Sequence, residues 1–211
     1  MTIEDLKAGN QLFRNTKFID YKNDFETLVK KGQSPEILFI GCSDSRVVPD
    51  MIISSKPGDM FIVRNVGNFV PPYKDDNDFH GTTAAIEFAI SVLNVKHIII
   101  CAHSNCGACR SLYQDLENNP NLVHMRKWLQ LGQKAKQEVL KQFDFSTQKE
   151  EVYTQTEKKS VINQLENLLT FPEVKKRIKE KRLDVYAWHY KIEDGTIQSY
   201  NPQTKEFEDL C

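Results

Sequence analysis

What the chain lacks narrows the possibilities first. No apolar run approaches the ~20 residues that cross a bilayer as a helix; the longest, in "EILFIGC" and "HIIICA", are strand-sized. No charge excess exists either, since 28 Lys and Arg face 29 Asp and Glu for a formal charge of -1. A basic nucleic-acid footprint is therefore absent, and no membrane and no nucleic acid are expected as partners. The 5 cysteines are odd in number and spread over 211 residues, unlike a short disulfide scaffold, and a chain this long buries a core without such staples. The opening residues, MTIEDLKAGN, carry none of the basic, apolar and small-residue blocks of a secretory leader. The expectation is a protein of the reducing cytoplasm whose cysteines serve something other than disulfides.

The patterning that is present reads as a single α/β domain over 1–211. Ile3, Leu6, Leu12 and Phe13, then Phe25, Leu28 and Val29, fall at roughly helical spacing and predict two helices over 1–31, ending before Gly32. Short apolar runs follow at 37–40, 60–63 and 98–101, interleaved with segments of helical character such as "GTTAAIEFAISVLNV". That alternation predicts a mostly parallel central β-sheet flanked by helices. From about Asn118 to Lys158 the composition turns polar, yet Leu122, Met125, Leu129, Ala135 and Val139 keep a helical stripe; with the helix through Val161, Leu165 and Leu168, the span 118–170 reads as a helical excursion. Thr170 and Glu173 suggest a capping box for a last helix with Pro172 in its first turn. "DVYAWHYKIEDGTIQSYN" predicts an antiparallel strand pair turning at Asp194-Gly195.

Cys42, Arg64 and His103 all fall at or just past the carboxyl ends of the predicted strands, the edge at which open α/β sheets bind ligands. In "GCSDSRVVP" a thiol, Asp44 and Arg46 can converge within one turn of chain. Adding His103 and Cys106 from "AHSNCGACR" makes two thiolates and one imidazole, which suits Zn2+ better than calcium or magnesium. Three ligands leave one tetrahedral corner open, the pattern of a catalytic rather than a structural site.

Cys42-Ser43-Asp44-Ser45-Arg46 with His103-Ser104-Asn105-Cys106 resembles the C-x-D-S-R and H-x-x-C motifs of the β-class carbonic anhydrases. The likeness extends through "GQSPEILFIGCSDSRVVP", "PGDMFIVRNVGNFVPPY", "GTTAAIEFA", "HSNCGA" and "WHYKIEDGTI" in family order, with 118–158 least matched. It implies one Zn2+ per subunit on Cys42, His103 and Cys106, and reversible hydration of carbon dioxide to bicarbonate. It implies Asp44 as the acceptor that orients the attacking hydroxide, or as a fourth metal ligand in a closed state, with Arg46 holding it. Gln33, in the plant-like "GQSP", is implied as a hydrogen-bond donor to substrate, Phe61 and Val66 as an apolar slot, and Gly107 as an amide near substrate oxygens. Phe39 stands where a bicarbonate-inhibited subgroup has Trp, which favours the open site, and Phe88 where some relatives have Tyr. The resemblance also implies an arm over 1–31 wrapping a partner in a homodimer, or in a tetramer built from dimers.

Two rival chemistries use the same residues. Cys106 and Cys109 spell C-x-x-C, the spacing of a thiol-disulfide oxidoreductase, and Cys42, His103, Cys106 and Cys109 together would close a structural zinc tetrahedron. Cys101 reads as a buried small hydrophobe, Cys211 as an idle terminal thiol, and His80, His97, His124 and His189 as surface or packing residues. Arg64 reads as structural, pairing with Glu87, and the lysines of 175–181 as a solvated helix face.

Overall fold

In the computed structural model, which describes residues 1–76 and 78–210, two helices precede the sheet: α1 (Ile3–Asn15) and α2 (Lys17–Lys31). Thr2 caps α1 reciprocally with Asp5, and Gly32, at φ +81, ends α2. Neither helix buries a residue within the chain, although both carry apolar side chains. The 1–31 expectation of two helices is met.

The sheet comprises β1 (Ile37–Cys42), β2 (Met60–Asn65), β3 (His97–His103), β4 (Asp184–Tyr190), β5 (Ile197–Asn201) and β6 (Glu206–Asp209), in the order β2-β1-β3-β4-β5-β6. The first four strands run parallel, and β5 and β6 are antiparallel additions. β1 and β3 lie inside the sheet, and β1 and the 98–102 stretch of β3 are apolar because both their faces are covered. On one face Leu38, Ile40, Ile98, Ile100 and Ala102 pack against α4 (Gly81–Glu87), its π-helical continuation (Phe88–Val92), α8 (Lys149–Leu168) and α9 (Pro172–Lys179). On the other, Phe39, Ile99 and Cys101 pack with Ile62 and Trp188, so Cys101 is the buried hydrophobe expected.

Between these come the short α3 (Pro49–Ile52), α5 (Gly107–Ser111), α6 (Val123–Leu129) and α7 (Gln133–Val139). The span 118–170 is largely helical, and α8 runs unbroken from Lys149 through Leu168. Its polar residues mislead because Thr156, Glu157, Ser160, Asn163 and Gln164 are buried on the sheet rather than solvated. Thr170 and Glu173 form no capping box. Phe171 takes the cap position because Pro172 is the first helical residue, and the Thr170 hydroxyl instead donates to Asn167 O at 2.6 Å and accepts from Tyr73 N–H at 2.7 Å. The turn between β4 and β5 is placed as expected, with Gly195 at φ +79 and the Asp194 carboxylate accepting from the backbone and hydroxyl of Thr196; β6 is an additional strand. Among the described residues no helix is long and apolar enough to cross a membrane. Cys211 lies outside the described residues.

Candidate metal centre

Adjacent parallel strands put their carboxyl ends side by side. β1 and β3 pair with Gly41 level with Cys101, so Cys42 and His103 emerge together at one edge. Asn105, at φ +58, turns the chain sharply out of β3, and Cys106 returns toward the same point at the start of α5. Asn and Asp tolerate that left-handed conformation better than other side chains. Cys42, His103 and Cys106 are all buried, and their ligand atoms lie within 4.8 Å of one another. Two metal–ligand bonds of about 2.0–2.3 Å each span nearly that distance.

The donor set fits zinc on its own chemistry. His103 is fully buried and donates from Nδ1 to Ser104 O at 2.9 Å, which leaves the Nε2 lone pair free. Nε2 has no hydrogen-bond partner among the described residues, a costly orphan in a protein interior unless a cation takes it. The hydrogen bond with Cys106, together with burial, pushes the Cys42 thiol up to about 12. Cys106 is also raised well above the ordinary thiol range, chiefly by its hydrogen bond with Cys109. As bare thiols they stay protonated at neutral pH; a bound cation is what makes such sulfurs thiolates. Cys109 lies in the first turn of α5, buried against Cys106, and falls outside the group of three.

Asp44 and Arg46 sit beside this cluster as the motif anticipates. Asp44 Oδ1 accepts from Arg46 N at 3.0 Å and Nε at 2.9 Å, and Oδ2 accepts from Nη2 at 2.8 Å. Oδ2 also lies 4.0 Å from His103 Nε2. The Arg46 guanidinium thereby holds the Asp44 carboxyl well below the usual carboxylate range. A depressed native value adds stability that is fully present above the ordinary carboxylate range and is lost only as pH falls through the lowered one. Arg46 Nη2 donates further to Asn105 O at 3.0 Å, tying the two motif loops together.

Arg64 is structural, but not through Glu87. Its Nε donates to Cys42 O at 2.9 Å and its Nη2 to Asp44 O at 2.7 Å, because the end of β2 aims it across β1 at the Cys42–Asp44 loop. The chain after β2 completes the wall: Gly67 N–H donates to Cys42 Sγ at 3.4 Å, and Trp128 Nε1 on α6 holds Val66 O at 2.6 Å. Neither contact was legible from spacing. Gly67 sits at φ +82, and a Cβ there would meet the Ala108 methyl at 2.8 Å and the Phe69 ring at 2.9 Å. Gly67→Ala is expected to cost about 2–4 kcal/mol, overpacking added to left-handed strain, readable as a lowered denaturation midpoint.

The model of the family described as "Carbonic anhydrase" matches residues 37–197. The chain belongs to the β-carbonic anhydrase family. A carbonic anhydrase of Helicobacter pylori is 34% identical over 200 residues, covering 94% of this chain and 90% of its own length. One from Synechocystis sp. is 35% identical over 205 residues, with 97% and 73% covered. Among solved structures, the β-carbonic anhydrase CcaA superposes with a TM-score of 0.92 at 34% identity, covering 99% of this chain and 92% of that one. One of two tetrameric β-carbonic anhydrases from Sordaria macrospora superposes with a TM-score of 0.82 at 30% identity, covering 93% and 95%. The family hydrates carbon dioxide and uses zinc, and the α/β architecture read from the sequence is the architecture found.

The remaining β-carbonic anhydrase positions divide into two groups. Val66 and Gly107 stand at the cluster, one carrying the carbonyl that Trp128 holds and the other following Cys106 directly. Gln33 and Phe61 do not. Gln33 is exposed ahead of the amino end of β1, whereas Cys42 ends that strand, which from Ile37 alone spans about 17 Å. Phe61 pairs in register with Leu38, low on β2, and its ring packs on Phe88 at 5.7 Å between centroids. Of the other histidines, His80 pairs with Asp76 at 2.7 Å, His97 lies 3.7 Å from Asp184, and His124 is exposed. His189 is fully buried against Glu157.

Proposed function

We propose that this chain catalyses the reversible hydration of carbon dioxide on a zinc ion held by Cys42, His103 and Cys106. The observation that carries this reading is the convergence of those three buried side chains, with an unpartnered His103 Nε2, beside an Asp44 carboxylate already locked by Arg46. Held by these residues, a zinc ion would supply Lewis acidity that lowers the pKa of water near it.

The chain's own groups do the rest. Asp44 is kept an ionised acceptor by three donors from Arg46, so it orients the attacking oxygen through a hydrogen bond rather than accepting a proton permanently. The same three bonds hold it back from the metal, which favours the open site over a state with Asp44 as fourth ligand. In this reading the Gly107 amide donates to a substrate oxygen, and Val66 adds apolar surface suited to a non-polar gas. Two thiolates leave less charge on the ion than three imidazoles do, so hydration is favoured on the alkaline side of about 7, the pKa of water in the three-histidine carbonic anhydrase site.

Gln33 and Phe61 fit this reading as contributions from a second copy, since neither reaches the cluster of its own chain. An oligomer also accounts for the unburied apolar side chains of α1 and α2, among them Ile3, Leu12, Ile19 and Val29. A homodimer, alone or paired into a tetramer, is the proposed assembly. The free thiols the site needs suit a reducing cytoplasm.

Cys109→Ser separates this reading from its rivals. Retained zinc and hydration are expected. Loss of zinc would favour a closed four-ligand structural site, and a dithiol-reductase activity that disappears would favour the oxidoreductase.

A further inference from the structure

Behind the metal cluster lies a buried carboxylate that the reaction itself does not use. Glu157, near the middle of α8, is 1% exposed. Its Oε1 accepts from Cys106 N–H at 3.0 Å, and its Oε2 meets His189 Nε2 at 3.1 Å. His189 is likewise 1% exposed and stands on β4 level with Ala102 of β3. A carboxylate is costly to bury and survives inside a protein only where specific donors meet it. Here one of the two donors is the backbone of a zinc ligand.

The local chain explains why such a brace is needed. Cys106 follows a left-handed residue, caps a five-residue helix, and gains no capping bond from its own side chain. As an N-cap, its N–H has no partner within the helix it starts. The other side of the loop is already fixed: Ser104 Oγ donates to Glu193 at 2.6 Å, Asn105 Nδ2 donates to the same carboxylate, and Arg110 Nη2 donates to Asn105 Oδ1 at 2.7 Å. Among the described residues, Glu157 is the one group that accepts from the Cys106 N–H.

We propose that Glu157 is a positioning residue for the zinc site, and that His189 fixes its carboxylate. Through the Cys106 amide it sets the direction of Cys106 Sγ toward Cys42 and His103, and so the affinity for the metal. This inference rests on the zinc reading above.

The test is zinc affinity by chelator competition, read beside the visible spectrum of the cobalt-substituted protein, in which thiolate-to-metal bands report the direction of the sulfurs. Glu157→Met keeps the volume and removes the acceptor; its zinc dissociation constant is expected to rise about 10- to 100-fold, the usual cost of losing an outer hydrogen bond to a ligand, with altered thiolate bands. Glu157→Gln keeps an oxygen for the Cys106 amide and is expected to stay within about threefold of wild type, by the same scale. If Glu157→Met does not fold, His189→Phe, which frees the carboxylate without removing it, is expected to shift affinity in the same direction. Wild-type affinity and spectrum in Glu157→Met, or in His189→Phe where it is the variant read, overturn the proposal. So does Glu157→Gln as impaired as Glu157→Met, because charge rather than placement would then be at work. Wild-type protein that fails to bind zinc would instead sink the zinc reading itself.

Discussion

Cys42→Ser is expected to strip the protein of zinc and of carbon dioxide hydration together. A serine hydroxyl does not ionise near neutral pH, so the substitution leaves His103 and Cys106 as a two-ligand remnant. His103 Nε2, already without a hydrogen-bond partner, is then left orphaned with no cation to take it. The activity loss should exceed about 100-fold, the ceiling for changes outside the ligand set. The sulfur and oxygen atoms occupy nearly the same space, so the circular dichroism spectrum should be retained, which separates loss of metal from loss of fold. Metal analysis alongside the rate assay checks both. Full zinc occupancy in this variant would show that Cys42 is not a ligand.

Asp44→Asn is expected to do the opposite: keep the metal and lose the rate. The carboxylate accepts three hydrogen bonds from Arg46, and an amide replaces one of its oxygens with a donor that faces another donor. The side chain then turns, Arg46 loses its fork, and the acceptor aimed at the reacting oxygen is no longer defined. A fall in kcat/KM of about 100- to 10,000-fold is expected, the range associated with a positioned acid–base group, with zinc content near that of wild type. Because Arg46 keeps the wild-type carboxyl ionised to well below the usual range, the acidic limb of the wild-type profile should not belong to Asp44. An Asp44→Asn protein with wild-type kcat/KM would remove Asp44 from the reaction.

Much of this was legible in the residues because it is local or periodic. Short apolar runs with covered faces become inner parallel strands, and ligands at strand ends converge because neighbouring strands end together. Cys42, His103 and Cys106 could therefore be grouped from the sequence alone, although more than 60 residues separate the first from the last. What sequence could not supply was the support around them. Glu157 lies in a lysine- and glutamine-rich stretch that reads as solvated, and only the packing of α8 on β3 and β4 shows it buried. Arg64 was given the wrong partner because registry, which aims it at Cys42 O, depends on pairing across strands. The Thr170 box failed because Pro172 is the first helical residue, which puts Phe171 at the cap, and the Thr170 hydroxyl accepts from Tyr73 N–H instead. Gln33 and Phe61 carry family positions that a single chain does not bring to its own metal cluster; in the proposed assembly a second copy supplies them.

The most direct test is stopped-flow hydration of carbon dioxide by wild-type protein whose zinc content is measured in the same preparation. A rate proportional to zinc content, at about one ion per chain and rising on the alkaline side of about pH 7, is the predicted result. Zinc-replete protein with no hydration above the buffer rate would contradict the assignment.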